Sequence, residues 1–592
     1  MSSNLPGGYM GKLLEVDLDT GKTGFVSPSP KELRQYIGGT GLGIKYLYER
    51  VAPGVEWDHP DNVVIIATGP FSGTTMGGSG LVSIVTKGCL TNGATSTQAN
   101  GFAGAFMKLS GLDGIIIRGA APRLSYLYVH DGNAELRDAG HLSGKDTWAT
   151  EAAIKQELGI GERRLSVFSI GPAGENLVKF AALVGDKGHV ASHNGVGAVL
   201  GSKRLKAIVV SRGKESVPIR DRKQFSSLTK ELFGRAAASK GLPVYEWGTM
   251  GDNAAAENRL ARAVLPVRNY TTNYFPPGAR HSGEMLRSRV EAKWSPCWAC
   301  KFRHLHQMKL TQGPYEGYSG EEPEYEQIAA FGSLIGQGDL EAAFVLSNDV
   351  DRLGMDANET GWVIAWVIEC FEKGILGTED TGGLEMTWGN VEAVRAMLQK
   401  IARREGIGDV LAEGAMRASQ KLRPEGRPLA VFTRKGNTPR MHDHRAYWPM
   451  MLDTCTSDTG TDSDAGMRVG AKQVGLPEDT DPFTPEGAGA LVAAARGNGI
   501  VDDLLGVCKF NLRGFSQDEM AGLLNAATGW DMTGEEFRGV GRRIANLLKV
   551  FNYRHGLRPE LDAPSDRYGS APLDGPFHGM AAAPAWEKML AA

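Results

Sequence analysis

Two hexapeptides, Asp351-Arg-Leu-Gly-Met-Asp356 and Asp503-Leu-Leu-Gly-Val-Cys508, share the pattern D-x-x-G-x-(D/C). This pair constrains the chain more than its composition does. Each carboxylate can accept hydrogen bonds from ring N–H donors, and each glycine lets backbone come close to a bound group. Cys508 adds a thiolate to the second copy, and Cys297-Trp-Ala-Cys300 supplies two more thiols. That spacing turns both sulfurs toward one point and serves zinc as well as iron–sulfur sites. A segment with both a carboxylate and a thiolate suits a place where an organic cofactor sits beside a metal cluster.

With 592 residues the chain is long enough for two to four domains and can bury a large cofactor. Its 65 Lys and Arg against 68 Asp and Glu leave a net charge of −3, with no long basic run, which argues against nucleic acid as a partner. The start, Met1-Ser-Ser-Asn-Leu-Pro-Gly-Gly, lacks the basic end and apolar core of a signal peptide. The longest apolar stretch, Trp362 to Phe371, is too short to span a bilayer. Six cysteines fit a reducing compartment. The expectation is a soluble cytoplasmic protein with no membrane partner. Glycine, 78 residues, exceeds the usual share of about 7%. Without a collagen period, that excess implies tight turns and close backbone approaches, as a phosphate-bearing cofactor requires.

Up to residue 213, short β-branched runs alternate with glycine: Val63–Ile66, Leu81–Val85, Ile115–Ile117, Tyr126–Val129 and Ala207–Val210 read as strands. Beyond Arg212-Gly-Lys-Glu-Ser-Val-Pro218 the pattern turns helical. Val391, Val394, Leu398 and Ile401 share one helical face, with Asn390 as N-cap. A second break falls at Leu422–Pro428, and Arg542 to Phe551 again reads as helix. No internal repeat stands out beyond the two hexapeptides. The fold class is therefore α+β: an N-terminal β-rich domain (1–213) followed by two mainly α-helical domains (214–425 and 426–592).

Taken in order, the motifs resemble the aldehyde ferredoxin oxidoreductase family of tungsten or molybdenum bis-pyranopterin enzymes. The resemblance rests on the hexapeptides, the C-x-x-C and Lys549-Val-Phe-Asn-Tyr-Arg-His-Gly556, and on Gly11–Leu18, Ile37–Gly43, Gly69-Pro-Phe-Ser-Gly73, Val85-Thr-Lys87, Gly171–Asn176, Gly195–Lys203, Pro323-Glu-Tyr-Glu326 and Gly406–Gly414. Leu124–Val129 with Leu136-Arg-Asp138 is also similar to the tungsten subunit of class II benzoyl-CoA reductases, although other parts of that subunit are missing. The resemblance implies the same domain order with the cofactor between the domains, and an oligomeric assembly. It also implies a small carbonyl substrate, with ferredoxin or an iron–sulfur subunit as electron partner.

Carried over residue by residue, the resemblance implies a [4Fe–4S] cluster on Cys297, Cys300 and Cys508, with His304 where the family has its remaining cysteine. A neutral imidazole there should raise the reduction potential; zinc on the same ligands, or no metal, are the alternatives. Cys370 reads as a core thiol. Asp351, Gly354, Asp356, Asp503 and Gly506 are the implied pterin contacts. Gly80, Gln98, Asn100 and His193 stand in the loops facing the phosphates, where Mg2+ would also bind. Three matching positions nearby depart from the family: Leu81 replaces an arginine, Gln98 an asparagine, and Ser192-His193-Asn194-Gly195 a Gly-Arg-Gly-Gly. No G-x-G-x-x-G opens a helix after a strand, which disfavours a nicotinamide fold.

For the chemistry, Glu324 and Glu326 match the family's acidic segment, with Glu326 favoured by its spacing to Asp351; the segment is expected to be extended, with one carboxylate aimed at the metal. The family histidine after Thr456–Gly460 is absent, leaving Asp462, His442 or His444 as the proton donor. The leading expectation is oxidation of an aldehyde or related carbonyl. Two alternatives stand beside it: a subunit driving electrons into an aromatic or enoyl thioester, and a cofactor-binding scaffold without turnover.

Overall fold

The computed structural model describes residues 5–238, 264–277, 283–300, 302, 305–461, 470–512 and 515–592. Two of the expected site residues, His304 and Asp462, lie outside the described residues.

Alternation of apolar side chains builds the amino-terminal half. The first sheet contains β1 (Leu13–Asp17), β2 (Thr23–Val26), β3 (Val64–Ala67), β4 (Val82–Lys87), β5 (Ala94–Ala99) and β6 (Gly114–Arg118), in the order β2-β1-β6-β3-β4-β5. The second contains β7 (Ser125–His130), β8 (Asn133–Asp138), β9 (Leu165–Ile170), β10 (Leu183–Gly185), β11 (His189–Ala191) and β12 (Leu205–Ser211), in the order β8-β7-β12-β9-β10-β11. Because successive side chains point to opposite faces of a strand, Val64, Ile66, Ile115 and Ile117 meet Leu127, Val129, Phe168 and Ile208 in one core between the sheets. Ile65, Ala67 and Ile116 face the other way, onto helices Gly39–Arg50, Asn498–Leu505 and Gly534–Arg554.

The two sheets have the same topology. In the first, β1 pairs antiparallel with β2 and parallel with β6, and β6, β3, β4 and β5 continue antiparallel. In the second, β7 pairs antiparallel with β8 and parallel with β12, and β12, β9, β10 and β11 continue antiparallel. Helices fall at matching points too: Gly39–Arg50 precedes β3 as Thr147–Leu158 precedes β9, and Ala103–Leu109 precedes β6 as Val196–Ser202 precedes β12. This duplication corrects the expectation of no repeat. It escapes a sequence reading because sheet topology depends on the period of apolar residues and on turns, which many different residues satisfy.

The rest is mainly helical, apart from a three-stranded sheet of Val290–Trp294, His306–Leu310 and Ser319–Glu321. Helix Ala357–Glu372 is apolar on nearly all sides and forms the centre of the largest core. Its two tryptophans are satisfied there, Trp362 Nε1 donating to Pro439 O and Trp366 Nε1 to Gly426 O, both at 2.8 Å. Helix Val391–Arg403 starts where expected, with the Asn390 side chain accepting from Ala393 N. Among the described residues no helix is long and apolar enough to cross a membrane.

Candidate active site

Both hexapeptides fold in the same way. Helix Leu340–Leu353 ends on Gly354 with φ 73°, and helix Asn498–Leu505 ends on Gly506 with φ 72°. This left-handed conformation is open to glycine at no steric cost. The sixth residue then caps the next element: Asp356 caps helix Ala357–Glu372, and Cys508 precedes the 3-10 turn Lys509–Asn511.

Each bend rests on a Gly-Pro turn that follows a strand. Gly171, after β9, packs so closely that a Cβ there would lie 2.2 Å from Leu353 O. Gly69, after β3, packs so that a Cβ would lie 2.3 Å from Gly506 N. Nine residues beyond each glycine a carbonyl holds the capping residue, Phe180 O accepting from Asp356 N at 2.8 Å and Gly78 O from Cys508 N at 3.1 Å. The first aspartates meet equivalent helix starts: Thr147 Oγ1 donates to Asp351 O at 3.0 Å, and Thr40 Oγ1 to Asp503 Oδ2 at 3.5 Å. The two sheets thus form twin cradles.

The cradles differ in chemistry. Around the first, burial pushes Asp351 up to about 8, with Glu324 and Asp356 adding to the rise and a hydrogen bond from Gln327 Nε2, at 2.8 Å, opposing it. Burial also raises Glu321 well above its ordinary range, helped by Asp351, and raises Glu359 to about 7. Asp356 Oδ2 lies 3.4 Å from His193 Nδ1, and these two line a pocket with Asn358, Glu359, Thr438 and Arg440. At the second cradle, Gln98 Nε2 donates to Thr40 Oγ1 at 3.2 Å and to Ser96 Oγ at 2.9 Å.

The three thiols converge. All are buried; burial, with Cys300, Cys508 and Glu321 adding to it, pushes Cys297 well above the usual thiol range, and burial raises Cys508 to about 11. Amide N–H groups compensate, Gly101 N–H pointing to the Cys297 sulfur and Phe510 N–H to the Cys508 sulfur. Gly80 and Asn100 belong to the same corner: a Cβ at Gly80 would lie 2.0 Å from Gly101 O, and Asn100 Oδ1 is buried without a hydrogen bond among the described residues. Among the described residues no three His, Cys, Asp or Glu side chains are close enough to share a single metal ion. Cys370 is a buried thiol on the central helix, as expected.

The acidic segment is not extended. Pro323-Glu-Tyr-Glu326 opens helix Tyr325–Phe331, with Glu324 as N-cap, its N–H donating to Gln327 Oε1 at 2.9 Å. The N-cap geometry, followed by Glu326 in the first turn, outweighs the β-like look of the tetrapeptide. Glu326 Oε1 lies 3.9 Å from His442 Nε2, and the His442 ring stacks on Tyr325 with centroids 4.7 Å apart. His444 is fully buried, its Nδ1 2.6 Å from Tyr568 OH, and burial with the nearby Arg440 charge lowers it to about 3, so it stays neutral. Thr40, Gln327, Tyr325 and Tyr568 complete these contacts and carry no motif by which sequence could single them out.

Residues 13–212 match the model of the aldehyde ferredoxin oxidoreductase N-terminal domain, and residues 229–592 that of its domains 2 and 3. The chain is similar to the tungsten-containing aldehyde ferredoxin oxidoreductases of Pyrococcus furiosus, 35% identical over 94% of this chain and 90% of the relative, and of Thermococcus kodakarensis, with the same identity and coverage. An aliphatic sulfonate oxidoreductase, WOR-like subunit, of Pyrococcus furiosus is 33% identical over 70% of this chain and 67% of its own. Among solved structures, the active-site complex BamBC of benzoyl coenzyme A reductase with 1,5-dienoyl-CoA has the same fold, with a TM-score of 0.82 at 24% identity, over 95% of this chain and 92% of that one.

Proposed function

Because the chain belongs to the aldehyde ferredoxin oxidoreductase family, we propose that it is a tungsten- or molybdenum-pterin oxidoreductase that oxidises an aldehyde or related carbonyl. Electrons would leave through an iron–sulfur cluster to ferredoxin or a partner subunit. The observation that carries this reading is the pair of twin cradles with three thiols beside one of them.

The residues present fit the implied groups. Buried polar atoms without a partner among the described residues lie at both cradles: Asn358 Oδ1 beside Asp356, Ser83 Oγ against Gly39, and Asn511 Nδ2 against Gly78. Such atoms are costly to bury unless something polar meets them. Asp351, Gly354 and Asp356 would hold one pterin, with His193 toward its phosphate. Asp503, Gly506 and Gln98 would hold the other, and Gly80 and Asn100 would face phosphate, with or without Mg2+. Cys297, Cys300 and Cys508 would hold the cluster. When bound, the pterin metal supplies two-electron oxidation at the carbonyl carbon.

The chain's own part is the proton. Overall the reaction is R–CHO + H2O → R–COO⁻ + 3H⁺ + 2e⁻, so a base near the carbonyl is required. Glu326 Oε1 would take a proton as water adds, and His442 Nε2, 3.9 Å away, would share it. Stacking on Tyr325, with ring centroids 4.7 Å apart, restricts the tilt of that imidazole. The test is metal and pterin analysis of protein made with tungstate, followed by aldehyde-dependent reduction of a viologen dye. A full metal and pterin complement with no aldehyde turnover would remove the substrate assignment, and a metal-free protein would remove the whole reading.

A further inference from the structure

The side chains around Cys297 include one that neither the motif nor the mechanism uses. His189 opens β11 in the second sheet, far in sequence from the cysteines, and is only 8% exposed. Its Nε2 lies 3.8 Å from Cys297 Sγ, within reach of a hydrogen bond to sulfur. The imidazole has little freedom to lie elsewhere. A Cβ at Gly101 would come within 2.8 Å of His189 Cδ2 and 2.6 Å of Asp186 Oδ2. Gly101 is itself clamped, its carbonyl accepting from Trp298 N at 3.1 Å, and Asp186 is fixed by Phe102 N and Ser166 Oγ, both at 2.9 Å.

The surroundings give such a donor a task. Glu321 and the other two thiols all act against negative charge on Cys297. A donor aimed at a ligand sulfur draws charge from it, stabilises the reduced cluster and raises its potential.

We propose that His189 is a positioning residue of the cluster site, donating Nε2–H to the Cys297 sulfur and thereby setting the cluster's reduction potential and its hold on iron. This rests on the cluster part of the proposed function. Donation from Nε2 also ties the second sheet to a thiol grouped with the second hexapeptide, so each cradle contributes to the same metal centre.

The test uses the iron-loaded enzyme and three substitutions, with an EPR-monitored redox titration and the rate of iron loss to a chelator as readouts. His189→Leu and His189→Phe remove the donor and should lower the midpoint potential and weaken iron retention by about tenfold or more. His189→Gln keeps an N–H donor and should lie between them and the parent. Phe preserves the ring's shape, so it reports even where Leu disturbs folding. Parent-like potential and iron retention in a folded Phe or Leu variant would overturn the proposal. So would absence of iron from the parent protein, while its tungsten and pterin content would still report separately on the proposed function.

Discussion

The two cradles share one backbone plan and a leading aspartate, and diverge in the side chains around them. On the Asp351 side, buried carboxylates crowd together, and burial holds Asp351, Glu321 and Glu359 well above the ordinary carboxylate range. On the Asp503 side, hydroxyl and amide groups of Thr40, Ser96 and Gln98 take their place, and the sixth hexapeptide residue is a thiol. A duplicated scaffold fixes where a ligand can rest. Side-chain replacement then gives one half groups suited to protons and the other groups suited to electrons. The helix carrying Glu326 belongs to the first half, since Gln327 bridges Glu324 N and Asp351 Oδ2.

The largest effect should come from making the halves alike. Cys508→Asp rebuilds the second hexapeptide in the image of the first, and iron should be lost from the protein while the fold persists. Iron analysis and circular dichroism check this; a variant retaining its full iron would mean that Cys508 is not a ligand.

Next in size, Glu326→Gln should reduce kcat by about 100-fold or more with metal and pterin retained, because the amide preserves packing and cannot cycle a proton. Glu324→Gln keeps the N–H donated to Gln327 Oε1 and should leave turnover and stability close to the parent's. Reversed outcomes in steady-state kinetics would assign the proton to the wrong carboxylate, and full activity in both would move it elsewhere.

Asp351 sharpens the comparison through pH. Its folded value of about 8 lies above the unfolded value of about 3.9, so the folded state holds a proton that the unfolded state has released. Stability of the cofactor-free protein should therefore be highest below about pH 4 as far as this group is concerned, and should fall as pH rises toward 8, by at most about 1.4 kcal/mol per pH unit. Asp351→Asn should flatten that slope in urea titrations across this window. An unchanged slope would show that the proton sits on another acid.

The smallest difference is expected where the halves are the same. Gly354→Ala and Gly506→Ala should each cost more than about 1 kcal/mol and by similar amounts, because both place a Cβ at positive φ against a Gly-Pro turn. Strongly unequal losses in thermal denaturation would mean that the cradles bear different strain.

Much of this plan was readable from residues. β-Branched runs at Val63–Ile66 and Ala207–Val210 became β3 and β12 because alternation survives whatever packs on either face. The hexapeptides were legible because only glycine suits their bends. The duplication was not, since β5, Ala-Thr-Ser-Thr-Gln-Ala, is polar and β11 is three residues long, and neither looks like its counterpart. Nor was the turn of Glu324 and Glu326 onto a helix, which a capping side chain decides. His189 was invisible for a different reason: its partner lies 108 residues away, and no spacing rule connects them.

The cradles also close at different moments of synthesis. Thr147 meets Asp351 across 204 residues, whereas Ser72 reaches Gly506 across 434. At about 5–20 residues per second, a ribosome finishes the second hexapeptide roughly 8–30 s after the first. In that interval the nascent chain has both sheets and one hexapeptide, while the loops after β3 still await theirs. A cofactor spanning both halves would therefore meet a complete site only once the second hexapeptide has been made, so its insertion would follow the folding of the sheets rather than seed it.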